Sequence, residues 1–224
     1  MSTATPAKYV VGVLLFDGYT IMDVAGPLQL FDMMSDVVST VTISEHAGTV
    51  WTNPPNAGTP MVASYSFADA PHIDILLIPG GLGTDIYAKD PAYLSFVRQA
   101  SVDAKYVLTV CTGTSFLAAT GLLDGRRATT NKFAFRHIQR FGSAAIQWVA
   151  HARWVVDGKY WTSSGVTAGI DMAVAFVTHL CGPERVKPMM ELIEYVPSTN
   201  DSDDPFSHLT EHDHWASFTR ESTK

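Results

Sequence analysis

Residues 9–16 (YVVGVLLF) are apolar on both alternating faces, and residues 74–79 (DILLIP) form a second buried run. A strand with no polar face has to be covered from both sides, which is the position of a central parallel strand in an α/β sheet. Residues 37–44 alternate as a further strand, and residues 105–110 form the next one. Between the strands stand segments of helical period: VAGPLQLFDMM after Asp23, residues 91–104 behind an Asp90-Pro91 start, and SFLAATGLL closed by Gly121. Residues 169–181 close on Gly182, and Pro183 opens a last helix to about Tyr195. Asp before Pro at a helix start and Gly at its end are position-specific signals. Alternating strands and helices predict an α/β fold, a mostly parallel sheet with helices on both faces.

The chain of 224 residues fits one domain over 1–224, with 46% hydrophobic residues to fill a core. Residues 1–8 read as a flexible N-terminus. Residues 196–224 (beginning VPSTNDSDDPF) turn polar and acidic and read as a surface tail with a short helix. Gly48, Pro54, Pro55, Gly58 and Pro60 mark residues 48–60 as loop, residues 61–67 suit an edge strand, and Asp157-Gly158 marks a hairpin. A net charge of -7 lacks the basic field that nucleic acid or an anionic lipid surface requires. No apolar run approaches the roughly 20 residues that cross a bilayer, and no secretory signal is visible, so a cytoplasmic location is expected.

Cys111 draws attention because it stands between a buried strand and a helix start. A helix N-terminus carries partial positive charge, which predicts a lowered thiol pKa and a reactive sulfur. The alternative is a buried structural cysteine. Asp23 follows the first strand and belongs at the same sheet edge, either as a proton donor beside the thiol or as a helix cap. Gly80 and Gly81 open a glycine turn at a strand end, where α/β sheets bind ligands. With Ile86 where a third glycine would stand, the turn fails the dinucleotide fingerprint; either its N–H groups form one side of an oxyanion hole with the N–H of Thr112, or the glycines serve only a simple tight turn. His208, His212 and His214 lie in the tail, where a closed metal site is not expected. Cys181 reads as structural. Phe133, Phe135, Trp154 and the Pro205-Phe206 stretch are candidate apolar walls.

The segments LLFDGYTIMDVAGP, ILLIPGGLGT, VLTVCTGTSFLAATGLLDGRRATT and TSSGVTAGIDMA resemble the ThiJ/PfpI superfamily, related to class I glutamine amidotransferases. The resemblance spans residues 9–195 and comes nearest to the isocyanide hydratases and the sensor domains of AraC-type regulators. It implies a flavodoxin-like fold, a homodimer, Cys111 as nucleophile, Asp23 as acidic partner and a small-molecule substrate. It also implies N–H groups near Gly81 and Thr112 facing the reacting centre, and no metal or organic cofactor. In several branches a histidine follows the cysteine. Thr112 stands there instead, which speaks against amidase and glyoxalase chemistry and agrees with an isocyanide hydratase. The remaining alternatives are a cysteine redox or ligand sensor and a glutathione-independent glyoxalase.

Overall fold

A computed structural model describes residues 9–53 and 57–221. The expected flexible N-terminus and Pro54-Pro55 lie outside the described residues. The strands are β1 Tyr9–Leu14, β2 Val38–Ser44, β3 Gly48–Asn53, β4 Ala57–Ala63, β5 Tyr65–Ser66, β6 Ile75–Ile78 and β7 Tyr106–Thr109, followed by β8 Arg127–Ala128, β9 Gln147–Trp148, β10 Trp154–Asp157 and β11 Tyr160–Ser163. The helices are α1 Ile21–Asp32, α2 Thr84–Tyr87, α3 Pro91–Asp103, α4 Thr114–Ala119, α5 Phe135–Ile138, α6 Val166–Cys181, α7 Pro183–Leu192 and α8 His214–Glu221.

Seven strands form one sheet in the order β10-β11-β7-β6-β1-β2-β5. Every pairing in it is parallel except that of β10 with β11. The central strands β1, β6 and β7 carry the doubly apolar runs, and their side chains from Val11 to Leu14, Ile75 to Ile78, and Val107 and Leu108 are buried. One group of helices, α1, α6 and α7, packs together, with Phe31 of α1 edge-on to Phe176 of α6. A second group joins α3 to α4 through Tyr93 and Phe116. Asp90 caps α3 as expected, accepting the Ala92 N–H at 2.8 Å.

The loop expected over residues 48–60 is a two-stranded ribbon in its described residues. Residues 48–53 and 57–63 pair antiparallel as β3 and β4 where a loop was expected, and the edge strand is only Tyr65–Ser66. The β10–β11 turn is Gly158-Lys159, with Gly158 at φ 60°, so the signal dipeptide sits one residue ahead of its own turn. No helix among the described residues is long and apolar enough to cross a membrane.

Candidate active site

Three adjacent strands end at one place. Asp23 lies in the first turn of α1, just after β1; Gly80 and Gly81 follow β6; Cys111 follows β7. Because β6 lies between β1 and β7, the glycine turn separates the two side chains in the sheet and must be thin for them to meet. A Cβ on Gly80 would stand 2.5 Å from the Thr112 N and 2.9 Å from the Cys111 Cβ. At Gly81, with φ 139°, a Cβ would stand 2.1 Å from the Gly18 carbonyl oxygen. Only glycine fits either position.

Cys111 is held at φ 58°, in the left-handed region that a non-glycine residue rarely adopts. Its N–H donates to the Ser164 carbonyl at 2.9 Å, and its own carbonyl accepts the Thr130 hydroxyl at 2.7 Å. Bonds on both sides of the residue hold the strained turn, and such strain concentrates at functional sites. The sulfur accepts the Asn131 amide at 3.3 Å. Cys111 also lines a cavity of about 510 Å³ with Gly81, Thr112, Asn131, Phe133 and Trp215.

Asp23 is completely buried and does not cap its helix. Its Oδ2 accepts the Gly80 N–H at 2.9 Å, while Oδ1 is buried with no aligned hydrogen bond among the described residues. Burial raises the carboxyl to about 7, with the Gly80 N–H and the Cys111 thiol pulling it part-way back. Burial and then the Asp23 charge push the Cys111 thiol up, against the Thr112 N–H and the Asn131 amide. The expected lowering by the helix N-terminus is therefore overturned: removal from water and a neighbouring carboxylate outweigh the amide dipoles. Acid and thiol form one proton-sharing pair, and the proton stays in the pair at neutral pH.

The glycine N–H groups are also not where the oxyanion reading put them. The Gly80 N–H is bonded to Asp23, and the Gly81 N–H donates to Thr112 Oγ1 at 2.9 Å. The Thr112 hydroxyl donates in turn to the Gly81 carbonyl at 3.2 Å, so this side chain ties the two turns together. Of the expected N–H set, the Thr112 N–H is the one that acts on the sulfur.

The DJ-1/PfpI family profile matches residues 10–179. The chain belongs to the DJ-1/PfpI family. It is 31% identical to the isonitrile hydratase of Pseudomonas putida over 192 residues, 84% of this chain and 79% of that protein. It is 26% identical to the HTH-type transcriptional regulator GbdR of Pseudomonas aeruginosa over 213 residues, 89% of this chain and 55% of the regulator. A ThiJ/PfpI family protein from Pseudomonas syringae superposes with a TM-score of 0.78 at 28% identity, covering 96% of this chain and 89% of that one.

Within this DJ-1/PfpI fold the sequence reading missed Asn131, Trp215 and Phe218 as contributors to the cavity. Asn131 bonds the sulfur from the loop after β8; a lone Asn in a loop carries no pattern that marks it. Trp215 and Phe218 come from the segment read as a surface tail. The composition there is polar, but an aromatic pair at 215 and 218 has the spacing of one helix face. Among the expected walls, Phe133 lines this cavity and Phe206 lines a neighbouring one, whereas Phe135 and Trp154 line neither. The tail histidines form no metal-binding group among the described residues.

Proposed function

We propose that this DJ-1/PfpI protein hydrates isocyanides to N-substituted formamides through a covalent thioimidate on Cys111, with Asp23 as general acid and base. The observation that carries the reading is a buried carboxyl, its Oδ1 without an aligned hydrogen bond among the described residues, interacting with a sulfur held at a strained turn in the wall of a cavity. No histidine lines that cavity among the described residues, so the proton traffic falls to Asp23. The 31% identity with an isonitrile hydratase supports the same chemistry.

In the resting pair the thiol keeps its proton and Asp23 is ionised above about pH 7. As the sulfur attacks the terminal carbon of R–N≡C, its proton passes to Asp23 and from there to that carbon. The product is the thioimidate Cys111–S–CH=N–R. Water then adds to the same carbon; Asp23 takes its proton and returns it to nitrogen. Collapse of R–NH–CH(OH)–S–Cys111 expels the sulfur, which recovers the hydroxyl proton, and releases R–NH–CHO. Splitting one addition into two covalent steps is what the nucleophile contributes. The Thr112 N–H and the Asn131 amide stabilise the sulfur each time it is anionic.

A formamide-forming assay over alkyl and aryl isocyanides tests the reading. Cys111→Ala should lose about 10⁴-fold or more of the wild-type rate and Asp23→Asn about 10²- to 10⁴-fold. An inert wild type that consumes methylglyoxal would transfer the site to glyoxalase chemistry. The similarity to a regulator favours a second reading, a non-enzymatic sensor in which peroxide converts Cys111 to a sulfinate. That reading requires both substrates to be inert and peroxide to add mass only at Cys111. The proposed assembly is a homodimer located in the cytoplasm; a monomer in sedimentation would contradict the first part.

A further inference from the structure

The family match ends at residue 179, yet the cavity is roofed by residues well past it. Trp215 of α8 is 8% exposed in a largely polar segment, and Phe218 lines the same cavity one helical turn later. The roof is anchored, not merely laid down. The Trp215 indole N–H donates to Asp85 Oδ2 at 3.0 Å, and Asp85 Oδ1 meets His137 Nε2 at 2.5 Å. The indole stacks on the His137 ring at 5.5 Å. Arg140 pairs with Asp213 at 2.5 Å, and Arg136 donates to the Thr210 carbonyl at 2.9 Å. Phe133 packs edge-on against Phe218.

Polar groups in the cavity wall come from Thr20, Thr112, Asn131 and Cys111; Leu82, Phe133, Trp215 and Phe218 are apolar. About 510 Å³ lies within the range of about 300–1,000 Å³ typical of small-molecule sites, far more than an N≡C group with a methyl would fill. A small substituent would not reach the aromatic wall, and an apolar wall that the ligand does not touch adds no binding energy.

We propose that Trp215 and Phe218 are the specificity-determining residues of this site and select isocyanides bearing an aromatic substituent. Asp85 and His137 are positioning residues that fix the Trp215 ring. The selection of an isocyanide rests on the hydration reading; the selection of a ring rests on the roof alone.

Two measurements separate those parts. In turnover, Trp215→Ala and Phe218→Ala should raise KM for phenyl isocyanide about tenfold, the loss of about 1.4 kcal/mol of apolar contact, with kcat within about twofold. Methyl isocyanide should be insensitive to both. Asp85→Ala should give the same KM-against-kcat split for the phenyl substrate, smaller in size. In binding, N-phenylformamide titrated into Cys111→Ala should bind about tenfold more tightly than into Cys111→Ala combined with Trp215→Ala. Equal KM changes for the two isocyanides, or equal binding to the two proteins, would overturn the roof proposal. No turnover together with the expected binding difference would overturn hydration and leave the roof standing. If Trp215→Ala fails to fold, Phe218→Ala carries the test, since its ring is 43% exposed.

Discussion

Asp23 has a carboxyl raised to about 7 by burial, and that single shift predicts two pH effects of opposite use. The rate should rise with pH through about 7, because only the ionised carboxylate can take the thiol proton; Asp23→Asn should flatten that limb of the kcat/KM profile. Stability should move the other way. A carboxyl whose folded pKa lies above its unfolded one binds the proton more tightly when folded, so folding is favoured by low pH and weakened between about 4 and 7. The upper bound is about 4 kcal/mol between the two limits, and urea unfolding of wild type against Asp23→Asn at pH 4.5 and 8 reads it. A wild type no more sensitive to pH than Asp23→Asn would contradict the buried, shifted carboxyl. Cys111 and Asp23 were legible because strand ends are marked by hydrophobic pattern, and pattern fixes which edge they share. The direction of the thiol shift was not, because it depends on water exclusion and on a carboxylate that nothing in the local sequence brings close. Asn131 was invisible for the same reason: its contact with the sulfur crosses 20 residues of chain.

At the scale of elements, the site depends on how closely α6 lies against the end of β7. A Cβ on Gly169 of α6 would stand 2.3 Å from Val110 Cγ1, and Val110 is the residue that leads into the strained Cys111 turn. Gly169→Ala should therefore push the helix and the elbow apart, an overpacking effect of about 1–3 kcal/mol seen as a lower urea midpoint with unchanged slope. Val110→Ala in the same chain should recover part of that loss, and the absence of recovery would place the strain elsewhere. Helices and buried strands were readable because each carries its own period and caps, as Asp90 does for α3. The β3–β4 hairpin was not. Its residues Gly48, Pro60 and Gly58 read as punctuation, yet β4 carries Pro60 within a two-stranded ribbon, where a missing N–H is tolerated.

For the whole molecule, a compact core inside the family match carries Cys111 and Asp23, and a segment that reads as polar tail adds Trp215 and Phe218 to the cavity beside them. The tail is joined to the body by its backbone as well: the Asp201 carbonyl accepts the N–H groups of Arg153 and Trp154, and the Asp204 N–H donates to the His151 carbonyl. Composition hid this arrangement because one buried indole among acidic residues changes the average little while anchoring the whole helix. A chain ended at Thr210 keeps those backbone bonds and loses α8 with Trp215. Its far-ultraviolet circular dichroism should stay close to that of the full chain. Loss of the buried indole, about 2–3 kcal/mol, should lower Tm by about 5–10 °C for a domain of this size. Alkylation of Cys111 by iodoacetamide should speed up at every pH above 7, because the path to the sulfur opens and the water it admits relieves part of the burial that raises the thiol, the Asp23 charge remaining. Equal alkylation rates in the two chains would mean that α8 does not cover the sulfur in solution.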